Sequence, residues 1–236
     1  MENKKITTKL NWTKSKNGIT MDFELDVAIH PFNNGKIIIN VPGADGSING
    51  YNDKYIKMAD YLIENKIGAV VRIPNISSLG FGWDINLRET LSYALDHSKE
   101  ICGSNKPEIY LMGTSAGAGA ISMTAWEYPE VTKILLTEPA IVFSGEHGAE
   151  GIREYKGEVV IVVGKGGYAL GKEVGDIFYN YFISASHKEI FEIPDCDHSF
   201  RGEINGRILS QAPIYAFKEG QKIKFPNPNG GIKLYN

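Results

Sequence analysis

Cysteine is almost missing: Cys102 and Cys196 are the only two in 236 residues, too few for a disulfide framework. Long apolar runs are missing as well, so no stretch is expected to span a bilayer. The opening MENKKITTKL carries lysines with no apolar run behind them, which does not read as a secretion signal. There is no Lys/Arg cluster and the net charge is −3, so neither nucleic acid nor a membrane is expected as partner. No metal-spaced Cys/His set and no Gly-x-Gly-x-x-Gly occur, so the expectation is no metal and no cofactor. These absences read together as a soluble, reducing, cytoplasmic setting, with both cysteines as ordinary filler. What is present is apolar material, 42% of the chain, enough for one sizeable core. With no repeat, low-complexity tract or linker, residues 1–236 read as a single domain.

The first segment alternates, with Ile6, Thr8, Leu10 and Trp12 on one face. Asn17-Gly18 follows, and then Met21, Phe23, Leu25, Val27 and Ile29 alternate with acidic residues. Asn-Gly supplies the positive φ angles that a two-residue hairpin turn needs, so an antiparallel hairpin opens the chain. After Pro31 the apolar runs become continuous: Ile37 to Ile39, Val70-Val71, Ile109 to Met112, Ile134 to Leu136, Val159 to Val163, and Ile190-Phe191. Continuous runs fit strands buried on both faces of a parallel sheet. Helical stripes lie between them, clearest at Val174, Ile177, Phe178, Tyr181 and Phe182 and at Leu87, Leu91, Ala94 and Leu95. A closing helix is expected near Glu203 to Lys218, and the tail from Phe225 reads as irregular. The pattern predicts an α/β fold: an eight-stranded, mostly parallel, doubly wound sheet with helices on both faces.

The chemistry is carried by YLMGTSAGAGA, Tyr110 to Ala120. An apolar strand breaks into Gly113-Thr114-Ser115-Ala116-Gly117 and continues as a helix, expected over Gly117 to Trp126. A sharp strand-to-helix turn strains its middle residue and requires small neighbours two positions either side, here Gly113 and Gly117. The strain exposes the Ser115 hydroxyl, and the helix N-terminus behind it offers free N–H groups to an oxyanion. Ala118, Gly119 and Ala120 let the helix lie close to the sheet.

At these residues the chain resembles the α/β-hydrolase superfamily over nearly its whole length: the opening hairpin, the fifth strand running into Gly113 to Gly117, and a late histidine all match. The resemblance implies an acyl-transfer nucleophile, a histidine base and a carboxylate, in the chain order Ser, Asp/Glu, His. For the base it points to His198, in IFEIPDCDHSF just past the last strand. His30 ends a hairpin strand, His97 lies on an outward helix face and His187 opens a strand, so these read as structural; His147, in a loop, stays open. The resemblance also implies two backbone donors for the oxyanion. One belongs to Ala116, the residue after the nucleophile. The other comes from the loop IIINVPGADGSING, where Gly43 matches the superfamily glycine and Ala44 the donor, with Pro42 where a histidine is common.

The acid departs from the pattern. After the seventh strand, where the superfamily often has Gly-x-x-Asp, the chain reads Gly164-Lys165-Gly166-Gly167. Glu138, at the end of the sixth strand in KILLTEPA, keeps the order Ser115, Glu138, His198, and Pro139 after it favours an extended backbone there. Asp176 is the alternative, within an amphipathic helix and facing solvent, and a weakly assisted Ser–His dyad the third choice. Gly166-x-x-x-x-Gly171-Lys172 nearly fits a phosphate loop, but Glu173 stands where a Ser/Thr should bind magnesium.

The expectation is therefore a serine carboxylic-ester hydrolase that cleaves a small-molecule ester, or an amide or thioester, through an acyl-enzyme. Its catalytic residues would be Ser115, His198 and Glu138. No large cap domain is expected, because no long insertion follows the sixth strand. Phe81, Trp83 and Trp126 are candidate pocket walls, with core packing as the competing role. The alternative is a non-catalytic small-molecule binding protein on a hydrolase fold, for which the missing acid at Gly167 is the one support.

Overall fold

A computed structural model describes residues 5–76, 83–142, 146–165 and 171–218, with the backbone alone at 146–148. Phe81, Gly166, Gly167 and the tail from Phe225 lie outside the described residues, as does the His147 side chain within its helix. Strands β1 (Ile6–Lys16) and β2 (Ile19–His30) form the antiparallel hairpin. Lys16 pairs with Ile19, so the turn has two residues. Asn17 and Gly18 take φ of 52° and 78° there, the positive values that the turn demands.

The other strands are β3 (Lys36–Val41), β4 (Ala69–Arg72), β5 (Glu108–Thr114), β6 (Val131–Thr137), β7 (Glu158–Gly164) and β8 (His187–Ile193). They build one eight-stranded sheet in the order β1-β2-β4-β3-β5-β6-β7-β8. From β4 to β8 every pairing is parallel. The helices are α1 (Lys54–Glu64), α2 (Ile85–Asp96), α3 (Ser98–Cys102), α4 (Ala116–Thr124), α5 (Glu146–Glu154), α6 (Gly171–Tyr181) and α7 (Glu203–Phe217). The helix after Ser115 thus starts at Ala116 and gives way to a 3₁₀ turn at Ala125–Glu127.

The strands bury both faces, because successive side chains point to opposite sides. Ile37, Ile39, Ile109, Leu111, Ile134 and Ile161 join one core with residues of α2 to α6. Ile38, Tyr110, Met112, Leu135 and Val160 join a second core with α1 and α7. Both cysteines are buried and free. Among the described residues no helix is long and apolar enough to cross a membrane.

Candidate active site

β5 lies between β3 and β6, and Ser115 follows it directly. Ser115 has φ 53° and ψ −120°, a conformation that costs an L-residue of order 1–3 kcal/mol and persists only where its surroundings over-determine it. They do so here. Ser115 N–H donates to Thr137 O at 3.0 Å, while Ser115 O accepts from Gly119 N–H at 3.0 Å and Ala140 N–H at 3.1 Å. The flanking glycines have no room for a side chain. A Cβ on Gly113 would lie 2.7 Å from Ile121 Cδ1 and 2.8 Å from Gly117 C; one on Gly117 would lie 2.2 Å from Pro42 O. Gly119 is equally confined, 2.3 Å from Ala140 O by the same measure.

The loop after β3 meets the serine from the other side. A Cβ on Gly43 would stand 3.3 Å from Ser115 Cβ and 3.9 Å from its Oγ. Gly43 to Gly46 form a turn closed by Gly46 N–H donating to Gly43 O at 3.0 Å, with Asp45 at φ 53°. Ala44 is the first central residue of that turn, and Ala116 opens α4, so both expected donors lie on backbone that adjoins Ser115. Beneath them, burial pushes the Tyr55 hydroxyl up to about 12 against a hydrogen bond from the Thr114 side chain.

Glu138 is 1% exposed. Its Oε1 accepts the Gly164 N–H, its Oε2 accepts the Gly171 N–H at 3.3 Å, and Oε2 lies 3.1 Å from His198 Nδ1. A carboxylate oxygen only accepts, so Nδ1 is the protonated ring nitrogen and Nε2 is left as the acceptor. The extended backbone expected before Pro139 is not observed: Glu138 has φ 46°. Glu138 N–H is held at 2.8 Å by Val162 O of β7 while Ala140 turns back to Ser115. The chain therefore has to reverse at Glu138, and three hydrogen bonds to its carboxylate offset the strain. The N-terminus of α6, where the phosphate-loop reading would put a nucleotide, is taken by this carboxylate through Gly171. Asp176 is exposed and pairs with Lys172, four residues before it.

His198 sits on the loop between β8 and α7, half-buried. Asp197 staples that loop by accepting the Ser199 N–H at 3.0 Å, the Arg201 N–H at 3.1 Å and the Arg201 guanidinium. The Arg201 backbone N–H comes first among the causes that hold the Asp197 carboxyl below the usual carboxylate range. Gly164 passes under the same loop: a Cβ there would be 2.3 Å from Cys196 O. Burial pushes the Cys196 thiol up to about 12, so it stays a protonated packing group. His30, His97 and His187 behave as structural residues. His97 packs at a tilt against Tyr93, with ring centroids 4.3 Å apart, His187 opens β8 beside Glu189, and His30 is buried against Arg72.

No family model matches the sequence, and no curated protein matches it. Solved structures do. The chain is similar to Est1E from Butyrivibrio proteoclasticus, at 16% identity and TM-score 0.63, over 86% of this chain and 95% of that one. It has the α/β-hydrolase fold. The Pyrococcus furiosus esterase Pf2001 aligns with TM-score 0.64 at 11% identity, covering 90% of this chain and 93% of its own. A dienelactone hydrolase from Anabaena variabilis aligns with TM-score 0.58 at 17% identity, over 90% and 99%. Within this α/β-hydrolase fold, Ser115, His198 and Glu138 follow β5, β8 and β6, and all three face the carboxyl ends of the strands, where such sheets gather their ligands. Trp126 does not join them. It lies past the far end of α4, and nine residues at about 1.5 Å each carry it roughly 14 Å from Ser115. There it lines a surface cavity of about 600 Å³ with Pro129, Val131, Tyr155 and Glu158. That cavity opens at the amino ends of β6 and β7, away from the serine. Among the described residues no group of three or more His, Cys, Asp or Glu is placed to hold a metal ion.

Sequence reasoning passed over two groups at the site. Arg72 and Asn75, at and just beyond the end of β4, are 3% and 0% exposed and bond to the loop that carries Ala44. Polar residues closing an apolar strand were the available signal.

Proposed function

We propose that the protein is a serine hydrolase that cleaves carboxylic esters through an acyl-enzyme, with Ser115 as nucleophile, His198 as base and Glu138 as the carboxylate that orients it. The observation that carries this reading is the 3.1 Å contact between His198 Nδ1 and the buried Glu138 Oε2, made at the strand ends that also hold the strained serine.

In the proposed reaction His198 Nε2 takes the Ser115 hydroxyl proton as Oγ attacks the ester carbonyl carbon. The carbonyl π pair moves onto oxygen, and the Ala44 and Ala116 N–H groups stabilise that charge. Collapse re-forms the carbonyl and expels the alkoxide, which takes the proton from His198. Water, deprotonated by the same ring, then attacks the acyl-enzyme; the acid leaves and Ser115 regains its proton. Glu138 keeps Nδ1–H in place and stabilises the imidazolium of each half-reaction.

Tyr51, Ile76 and Ile141, exposed by 82%, 51% and 46%, stand on the loops that follow β3, β4 and β6. An apolar rim at those strand ends suits an apolar or aromatic acyl group. One of the similar structures is Est1E with ferulic acid bound, which makes methyl ferulate a reasonable first ester beside p-nitrophenyl acetate. The 3.1 Å approach of Glu138 to His198 supports the catalytic reading over the non-catalytic one.

A fluorophosphonate probe should label the pure protein at Ser115, with Ser115→Ala as control, and the wild type should hydrolyse p-nitrophenyl acetate. A folded protein that takes no label and hydrolyses neither ester would sink the proposal and favour a binding role.

A further inference from the structure

The β3–α1 loop, residues 42–53, is costly to hold. Asp45, Asn52 and Asp53 all have left-handed backbones, with φ of 53°, 52° and 58°, and none is glycine. Such conformations persist only where neighbours over-determine them. Tyr55 N–H and Lys57 Nζ of α1 donate to Asn49 O at 3.0 Å and Asn52 O at 2.9 Å, and the part of the loop that carries Ala44 is held from the end of β4. Asn75 is fully buried and grips both ends of the turn that carries Ala44. Its backbone N–H donates to Gly46 O at 3.0 Å, and its Nδ2 donates to Pro42 O at 2.9 Å. The amide has one orientation that fits, because a carbonyl needs a donor facing it. Asn86 fixes the other side: its Nδ2 reaches Asn75 Oδ1 at 3.5 Å and donates to Ile76 O at 2.9 Å. Arg72 holds the far half of the loop, donating from Nη1 to Ile48 O at 2.8 Å and Asn49 Oδ1 at 2.9 Å, with Nε anchored on His30 Nε2 at 3.0 Å.

We propose that Asn75 is a positioning residue for the oxyanion donor: by clamping Pro42 and Gly46 it fixes the Gly43–Ala44 peptide against Ser115, with Arg72 bracing the rest of the loop. The inference rests on the serine-hydrolase reading above. Asn75 touches no reacting atom. It acts through the backbone, where an oxyanion donor displaced by about 1 Å loses on the order of a hundredfold in rate. The oxyanion forms only as the bond is made, so the loss falls on kcat and on phosphonylation, with substrate binding largely spared.

The experiment compares wild type, Asn75→Ala and Arg72→Lys. It measures kcat and KM for p-nitrophenyl acetate, and both the rate constant and the final extent of fluorophosphonate labelling. Asn75→Ala should lose roughly ten- to a hundredfold in kcat and in labelling rate, with KM within about threefold of wild type and every folded molecule labelled at completion. Arg72→Lys keeps the charge without the planar fork and should show a smaller loss of the same kind; it carries the test if Asn75→Ala does not fold. If the variants label at the wild-type rate and merely to a lesser extent, the role is one of stability and the proposal falls. A wild type that takes no label overturns the serine-hydrolase reading and this proposal together, whereas equal rates in a labelled wild type overturn this proposal alone.

Discussion

Replacing Glu138 by glutamine keeps size and shape and removes one acceptor. Glu138 Oε1 accepts the Gly164 N–H, and Oε2 accepts both the Gly171 N–H and His198 Nδ1–H. A carboxamide offers a single acceptor oxygen. If its NH₂ takes the Oε2 position, it opposes the Gly171 N–H and forces Nδ1 to become an acceptor, so that Nε2 carries the proton and cannot serve as base. If its NH₂ takes the Oε1 position, the histidine tautomer survives, but two donors face each other at Gly164 in a site 1% exposed. A buried group left without a partner costs about 1–3 kcal/mol, and a chain of this size loses about 2–4 °C in Tm per kcal/mol. Either orientation also removes the negative charge that, in the proposed mechanism, stabilises the imidazolium.

Loss of the carboxylate in a related triad costs about ten-thousandfold, roughly 5 kcal/mol of barrier. Retention of the tautomer in the second orientation softens that figure. Glu138→Gln should therefore lose between about a hundredfold and ten-thousandfold in kcat, with Tm lower by roughly 2–12 °C. Steady-state hydrolysis of p-nitrophenyl acetate and a thermal melt read both. Asp176→Asn, on an exposed pair with Lys172, should change neither. Activity of Glu138→Gln within threefold of wild type, or an equal loss in Asp176→Asn, would refute the assignment of the acid.

Three further outcomes follow from the same geometry. Ser115→Gly should abolish labelling yet raise stability by about 1 kcal/mol in urea melts, because glycine adopts φ 53° freely; a clear destabilisation would mean that the turn is not strained. Gly164→Ala should push a methyl into Cys196 O and displace the His198 loop, costing about 1–3 kcal/mol and at least about tenfold in kcat; wild-type stability and rate would show that the loop yields freely. His30 is held down to about 4 by burial first, then by the Arg72 and Lys5 charges, against Asp60. Its folded value thus lies below the unfolded one, and its contribution to stability is lost as pH falls from about 6.5 to about 4. The loss is at most about 3 kcal/mol. His30→Gln should flatten that part of the stability–pH curve, and parallel curves for the two proteins would exclude the effect.

How much of this was legible in the chain depends on whether the cause was local. The Asn17-Gly18 turn was legible because two adjacent residues supply the positive φ. The Ser115 turn was legible because Gly113 and Gly117 register, in sequence, the absence of room that the fold imposes. The insertion of β4 between β2 and β3 carries no such mark: strand order is a property of packing between segments far apart in the chain. Asn75 and Arg72 were missed for the same reason, since their partners at Pro42, Gly46 and Ile48 lie 24 to 33 positions away. The backbone of Glu138 was misjudged because the local influence of Pro139 was weighed without the pull of Val162 on one side and Ser115 on the other.

That misjudged backbone explains why a glutamate can stand at the end of β6. β6 lies beside β5, one strand nearer the serine than β7. The chain turns at Glu138 through a left-handed backbone, and the carboxylate reaches the end of β7, where Gly164 N–H receives it and the first turn of α6 adds Gly171 N–H. Gly164, at the end of β7, is therefore part of the same arrangement. A side chain at Gly164 would collide with Cys196 O and close the passage. On the proposed reading, the end of β7 supplies a backbone donor and the space, and α6 a second donor, for a carboxylate that comes from the neighbouring strand.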